Sequence, residues 1–171
     1  EKQNVVCVIG DGGMNMNIQE LQTLKNYNVG VKVVILNNHI YGITKAFQKV
    51  NFEGRMEACG PVGYAPPDFV KVAESYGLPT MRIESGMDYE VVRSQINEFL
   101  NHDGPMIIDV DCHEYHKYDP RLIGWETPIE DMYPYLDREE FLSNMYIKPL
   151  DISLNPEQLV YPVEFPNKDW D

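Results

Sequence analysis

The sequence predicts an α/β protein built on a doubly wound, mostly parallel sheet with helices on both faces, followed by an irregular C-terminal tail. Three observations carry this. Short runs rich in β-branched residues, Val5 to Ile9, Val31 to Leu36, Thr80 to Glu84 and Pro105 to Val110, alternate with segments of helical spacing. The first two runs end in polar residues that a buried strand would not tolerate, Gly10-Asp11-Gly12-Gly13 and Asn37-Asn38. After Cys112 the pattern stops, and residues 113–171 hold seven prolines, many aromatics and few long apolar runs.

Between the first two strands, Asn17 followed three residues later by Glu20 reads as a capping box, and Ile18, Leu21 and Leu24 then recur at helical spacing. A strand–helix–strand unit of this length joins parallel strands by a crossover, so both polar ends lie at the same carboxyl edge. Asp11 and Asn38 therefore face one crevice, the place where open α/β sheets bind ligands. The first run reads as a central strand reached almost at once, in a chain that starts without methionine, and this suggests a fragment.

Tyr41 to Val50 reads as a short helix leaving that crevice. Asn51 to Pro67 is a long loop set with glycine and proline. Pro67 and Asp68 open a helix carrying Phe69, Val70, Val72, Ala73 and Tyr76, which Gly77 closes. The next strand, Thr80 to Glu84, is followed by an amphipathic helix, Asp88 to Leu100, with Val91, Val92, Gln95, Ile96, Phe99 and Leu100 as its buried stripe. In the tail, Asp137 to Met145 predicts one short helix.

Glycines after the first strand let the backbone approach a bulky anion, and the N–H groups of a following helix point at it. A diphosphate suits such a place, yet it would repel the carboxylate of Asp11. A divalent cation resolves the conflict. A carboxylate, an amide oxygen, a backbone carbonyl and two phosphate oxygens are the hard ligands that Mg²⁺ prefers. Asp11, Asn38 and the carbonyl of Ile40 supply the protein's share.

GDG followed by NN, with Asp11 and Asn38 27 positions apart, resembles the thiamin-diphosphate (ThDP) binding motif. GDGGMNMNIQEL and VVILNNHIYGI are similar to segments of acetolactate synthase and its relatives, and PDFVKVAESYG and PMIIDVDC resemble their later segments. The likeness covers residues 4 to 112. It implies a ThDP- and Mg²⁺-binding domain over 1–112, with a C-terminal extension over 113–171. It further implies Asp11, Asn38 and the Ile40 carbonyl on the metal, and Gly10, Gly12, Gly13, Gly42 and Ile43 beside the cofactor. By the same resemblance Ile43 and Phe47 line the substrate pocket. Acetolactate synthases generally carry Met and Trp there, so the departure at both leaves the 2-ketoacid open. On the residues alone, Gly42 reads equally as a helix-start glycine and Phe47 as core.

The resemblance implies an enzyme that decarboxylates a 2-ketoacid and transfers the acyl unit. The glutamate that protonates the cofactor's pyrimidine belongs, in that family, to a separate domain contributed by a neighbouring subunit. No segment here resembles that domain. The expectation is thus an inactive fragment of an enzyme that is at least a homodimer, with no catalytic residue of its own.

A second reading of the same class is a specialised decarboxylase or synthase. EDMYPYLDREEF resembles acetolactate-synthase-like proteins of bacterial surface-polysaccharide synthesis. A third, of another class, is a non-catalytic phosphate- or nucleotide-binding module. The tail reads as a strap over a sheet edge or another domain, or as a lid.

Composition narrows the classes. The 171 residues suit one domain with a normal core. Twenty-seven acids against 14 bases, net charge −13, argue against nucleic acid, whose backbone needs clustered Lys and Arg. No apolar stretch reaches a membrane span, and Glu1-Lys2-Gln3-Asn4 is no signal peptide. Three cysteines form no even set. Cys7 and Cys112 read as small buried residues in a reducing compartment, the cytoplasm. Cys112, His113 and His116 lie close in sequence, but nothing completes a four-ligand zinc site.

Overall fold

The strands Val5–Gly10 (β1), Val31–Asn37 (β2), Thr80–Ile83 (β3) and Met106–Asp111 (β4) form one sheet in the order β1-β2-β4-β3. Every adjacent pair is parallel. This is a computed structural model of the chain and describes residues 5–60, 62–114, 128, 130–155 and 157. The chain divides into two compact units, 1–116 and 117–171.

Helices Asp11–Met16 (α1), Glu20–Tyr27 (α2), Gly42–Asn51 (α3), Phe69–Ser75 (α4) and Tyr89–Asn101 (α5) complete the first unit. Alternation along β2 and β4 sends side chains to two faces, and each face has its own core. On one, Leu21 of α2 and Phe69 and Ala73 of α4 pack with Val33, Ile35 and Ile107. On the other, Phe99 of α5 packs with Ile83, Met106 and Ile108. The doubly wound α/β fold is therefore present, with helices on both faces.

Aspartates start the later helices as the sequence suggests. Asp68 accepts from Lys71 N and Asp88 from Glu90 N. Gly77, at φ +72°, follows α4 in the left-handed conformation that glycine adopts at no steric cost.

Three expectations change. The capping box does not form. Because α1 starts directly at Asp11, Asn17 falls at its C-terminus, where its backbone N–H bonds Met14 O and its Nδ2 donates to Gly13 O, both at 3.0 Å. Its side chain is spent on the helix before it, Gln19 caps α2 without a side-chain bond, and Glu20 accepts from Thr23.

Among the described residues β1 pairs on one side only, and Val5, Val6 and Val8 are exposed. For the same reason Cys7 is exposed rather than buried, and Cys112, just past β4, is half-buried. Finally, α5 buries a narrower stripe: Phe99 is buried, but Val91 and Ile96 are exposed. A helix laid over edge strand β3 and its neighbour β4 leaves the rim of its stripe in solvent.

Polar links cross the carboxyl half of the sheet. Asn37 Nδ2 donates to buried Asp109 Oδ1 at 3.2 Å. Arg82 Nη2 donates to Asp109 Oδ2 at 3.1 Å and to Asp68 Oδ1 at 2.6 Å. Burial works to raise the Asp68 carboxyl, but the bonds from Lys71 N and Arg82 outweigh it and hold it below the usual carboxylate value. The chain β2–β4–β3–α4 is thus joined by one run of satisfied polar groups, which fixes a single arrangement of strand ends.

The second unit contains helix Arg138–Asn144 (α6), within the segment predicted helical, and a 3₁₀ turn Asp151–Leu154 that sequence patterning did not reveal. Asp137 caps α6, accepting from Glu139 N and Glu140 N. The unit's centre is ionic. Asp131, fully buried, takes two hydrogen bonds from Arg138, at 2.6 and 3.1 Å, and one from Tyr133 N at 3.0 Å. Arg138 also donates to Ser153 O and lies over the Phe141 ring. Among the described residues no helix is long and apolar enough to cross a membrane.

Candidate functional site

The register Gly10↔Leu36 sets the carboxyl ends of β1 and β2 side by side, and Asp11 and Asn38 are the first residues beyond those ends. Asp11 enters the first turn of α1 and is 3% exposed. Asn38 opens the turn Asn38-His39-Ile40-Tyr41, which crosses to α3. The terminal amide atom of Asn38 nearest Asp11 lies 3.2 Å from Asp11 Oδ1 and 3.0 Å from the Ile40 carbonyl oxygen. In the orientation of the structure that atom is Oδ1, so three oxygens face one another. A half-turn of the amide would instead let Nδ2 donate to both.

This tests the fit of a cation. An amide oxygen set against a carboxylate oxygen and a carbonyl oxygen is repelled by both unless a cation lies among them, whereas the turned amide satisfies both without one. In an octahedral Mg²⁺ shell, bond lengths of 2.0–2.1 Å put neighbouring oxygens about 2.9 Å apart, a spacing that the 3.0 and 3.2 Å contacts of Asn38 accommodate as readily as hydrogen bonds. Asp11 Oδ2 is buried without a hydrogen-bond partner, a costly state for a carboxylate oxygen that a cation would relieve. Among the described residues no group of three His, Cys, Asp or Glu side chains gathers. A cation here would thus rest on one carboxylate, an amide and a carbonyl, with the remaining positions left for a ligand's own oxygens.

Tyr41 and Tyr64 form the wall above these groups, their ring centroids 3.9 Å apart. Tyr64 is buried, with its hydroxyl beside the Asp11 carboxylate. Burial first, and then the negative charge of Asp11, push its phenol well above the ordinary value, so it remains a donor. Tyr41 N donates to Cys59 O at 2.9 Å, tying the turn to the long loop. Neither tyrosine was picked out by the sequence; an aromatic in a Gly/Pro-rich loop carries no periodicity to reveal it.

The glycines serve differently from one another. A Cβ on Gly12 would stand 2.4 Å from Tyr41 Cε1 and 2.7 Å from Cδ1, so this close approach is made by the tyrosine ring rather than left open for an anion. A Cβ on Gly13 would touch only the Ile9 side chain, at 3.0 Å, and one on Gly10 only Leu36 O, at 4.0 Å. Gly12→Ala is therefore expected to displace Tyr41 and lower stability by about 2 kcal/mol, the cost of overpacking. Urea unfolding would measure it, with Gly13→Ala, which meets a side chain that can yield, as the milder comparison.

Asp11, Gly10, Gly12, Gly13, Asn38 and Ile40 come together. Gly42 begins α3 just past the turn, and Ile43 and Phe47 lie one helical turn apart on the same side of α3, both exposed. Phe47 meets the Phe52 ring edge-on at 5.9 Å. Of Cys112, His113 and His116, the last lies outside the described residues.

The turn is fastened from β4. His39 adopts φ +61°, and its Nε2 lies 2.8 Å from Asp111 Oδ1. The bond from His39, with one from Ser85 N, holds the Asp111 carboxyl below its ordinary value against partial burial. Cys112 N donates to Asn37 O at 2.8 Å.

Residues 1–110 match the family model described as thiamine pyrophosphate enzyme, C-terminal TPP binding domain. The acetolactate synthase of Arthrospira platensis is 39% identical over 106 residues, 62% of this chain and 18% of that protein. The probable acetolactate synthase large subunit of Methanococcus aeolicus is 39% identical over 105 residues, 61% of this chain and 17% of that protein. Among solved structures, the thiamine diphosphate-dependent 4-hydroxybenzoylformate decarboxylase of Rhodococcus jostii superposes with a TM-score of 0.56 at 30% identity, covering 67% of this chain and 21% of that one. The matched region spans about a fifth of each relative. The chain therefore belongs to the thiamine pyrophosphate enzymes and carries their C-terminal TPP-binding domain.

Proposed function

We propose that this chain is the diphosphate-anchoring domain of a larger, acetolactate-synthase-like enzyme that decarboxylates a 2-ketoacid and transfers the acyl unit to an acceptor. The observation that carries the proposal is the Asn38 amide standing 3.2 Å from Asp11 Oδ1 and 3.0 Å from the Ile40 carbonyl oxygen at the ends of β1 and β2. Asp11, Asn38 and Ile40 would hold Mg²⁺, and the diphosphate would lie against Gly10, Gly13 and Gly42. Thiamin diphosphate, when bound, supplies a nucleophilic carbon and an electron sink for the decarboxylation. The chain's own residues bind and orient: Asp11 offsets the cation's charge, Asn38 and Ile40 fix its place, and Tyr64 offers a proton donor beside it.

The remaining parts lie elsewhere. The pyrimidine-contacting glutamate would come from a separate domain on a neighbouring subunit, which makes the working unit at least a homodimer. A reducing cytoplasm would keep Cys7, Cys59 and Cys112 as the free thiols they are here. A specialised substrate is a second reading, favoured by Ile43 and Phe47 standing where acetolactate synthases generally carry Met and Trp. Product analysis of the full-length protein with pyruvate and with bulkier 2-ketoacids decides between them. Acetolactate from pyruvate is the first outcome, and turnover of only a bulkier ketoacid is the second. No ThDP-dependent turnover of any ketoacid would support a non-catalytic phosphate-binding module. The 171-residue chain alone is expected to release no CO₂ from pyruvate.

A further inference from the structure

We propose that His39 and Asp111 form a latch that presets the metal-binding turn, with Asp111 acting as a positioning residue for the Ile40 carbonyl. The inference rests on the reading of Asn38 and Ile40 as metal ligands and goes beyond it to residues that touch neither metal nor cofactor. His39 stands between the two ligands in the left-handed region, at φ +61°. A non-glycine residue pays for that conformation, so something must hold it there.

The holding contact is a hydrogen bond from His39 Nε2 to Asp111 Oδ1 at 2.8 Å. A carboxylate can only accept, which places the proton on Nε2. Register explains how Asp111 comes to be within reach: it pairs with Asn37, the residue just before Asn38, across β2 and β4. Cys112 N to Asn37 O at 2.8 Å, and His39 N to Asn37 Oδ1 at 3.3 Å, fix the start of the turn. Tyr41 N to Cys59 O at 2.9 Å fixes its end. The left-handed residue between these anchors is what turns the Ile40 carbonyl back toward Asp11.

The pair is too exposed to matter much for folding. The side chains of His39 and Asp111 are 55% and 40% accessible, and ion pairs in such settings contribute little to global stability. Their effect should therefore appear in the readiness of the ligand set rather than in the stability of the fold. Outer contacts that orient metal ligands change metal affinity far more than they change structure.

The test is a Mg²⁺ titration of the full-length protein at saturating ThDP, following the ThDP-dependent rise in melting temperature. Asp111→Leu is expected to shift the Mg²⁺ midpoint about tenfold upward while the melting temperature without ligands hardly moves. Asp111→Asn keeps an oxygen for the His39 N–H and should restore most of the affinity. His39→Asn tolerates the left-handed backbone but ends short of Asp111, so it should behave like Asp111→Leu and serves if that variant does not fold. An unchanged midpoint in Asp111→Leu and His39→Asn overturns the latch. So does a shift accompanied by an equal loss of ligand-free stability and no rescue by Asn. If the unaltered protein shows no Mg²⁺ dependence at all, the metal-site reading itself fails, which is a distinct result.

Discussion

Asp11→Asn is expected to abolish the stabilisation that ThDP and Mg²⁺ together confer on the protein. The carboxylate is the only charged group in the oxygen set of Asp11, Asn38 and Ile40, and its Oδ2 is buried with no partner. An amide keeps the shape but removes the charge that holds a hard divalent cation. A ligand that binds only the folded state stabilises it by about 2.7 kcal/mol at a hundred times its dissociation constant, a shift of several degrees for a domain of this size. The unaltered protein should show the full shift only when both ThDP and Mg²⁺ are present, and Asp11→Asn should show almost none. In the absence of ligand the variant should melt no lower than the parent, because an unpaired buried charge has been replaced by a neutral group. An equal shift in both proteins would remove Asp11 from the site.

The second large effect belongs to the C-terminal unit. Asp131→Ala is expected to cost about 3 kcal/mol, since breaking a buried pair leaves the other charge uncompensated. Asp131 is fully buried, while the Arg138 side chain retains 23% exposure, which puts the cost at the lower end. The pair also has an acid signature. Burial alone would raise the Asp131 carboxyl, but Arg138 outweighs it and holds it below its ordinary value of 3.8. A carboxyl lowered on folding contributes stability that is complete above its unfolded value and is lost as pH falls through its folded one. Chemical denaturation from pH 6 to pH 3 should therefore show the unit weakening below about pH 4, and Asp131→Asn should flatten that limb at lower overall stability. A limb unchanged in Asp131→Asn would assign the acid sensitivity to other carboxyls.

What could be read from the sequence was whatever rests on local patterning. The strand ends at Gly10 and Asn37, and hence the meeting of Asp11 with Asn38, follow from apolar runs stopped by polar residues and from the parallel crossover between them. The caps at Asp68, Asp88 and Asp137 are likewise local, each side chain reaching an N–H two or three residues on. Asn17 shows the limit of that approach. Its side chain could serve the helix before it or the one after, and only the start of α1 at Asp11 decides the matter. Cys7 shows another, because an apolar strand reads alike whether one or both of its sides are paired among the described residues.

The contacts that refine the site depend on register. His39 meets Asp111, and Asn37 meets Asp109, across 72 residues of chain. Nothing in either segment shows that β4 rather than β3 lies beside β2. The ring of Tyr41 on Gly12 is hidden for a similar reason. Glycine in a GDGG turn suggests room for a ligand, and the coordinates show a side chain of the same protein taking part of that room.

The most direct measurement is anomalous diffraction from crystals of the full-length protein grown with ThDP and Mn²⁺ in place of Mg²⁺. One strong peak is expected, enclosed by Asp11 Oδ1, Asn38 Oδ1 and the Ile40 carbonyl, with the diphosphate completing the shell. ThDP bound in the crevice with no metal peak there, or with Asn38 Nδ2 donating to Asp11, would contradict this reading.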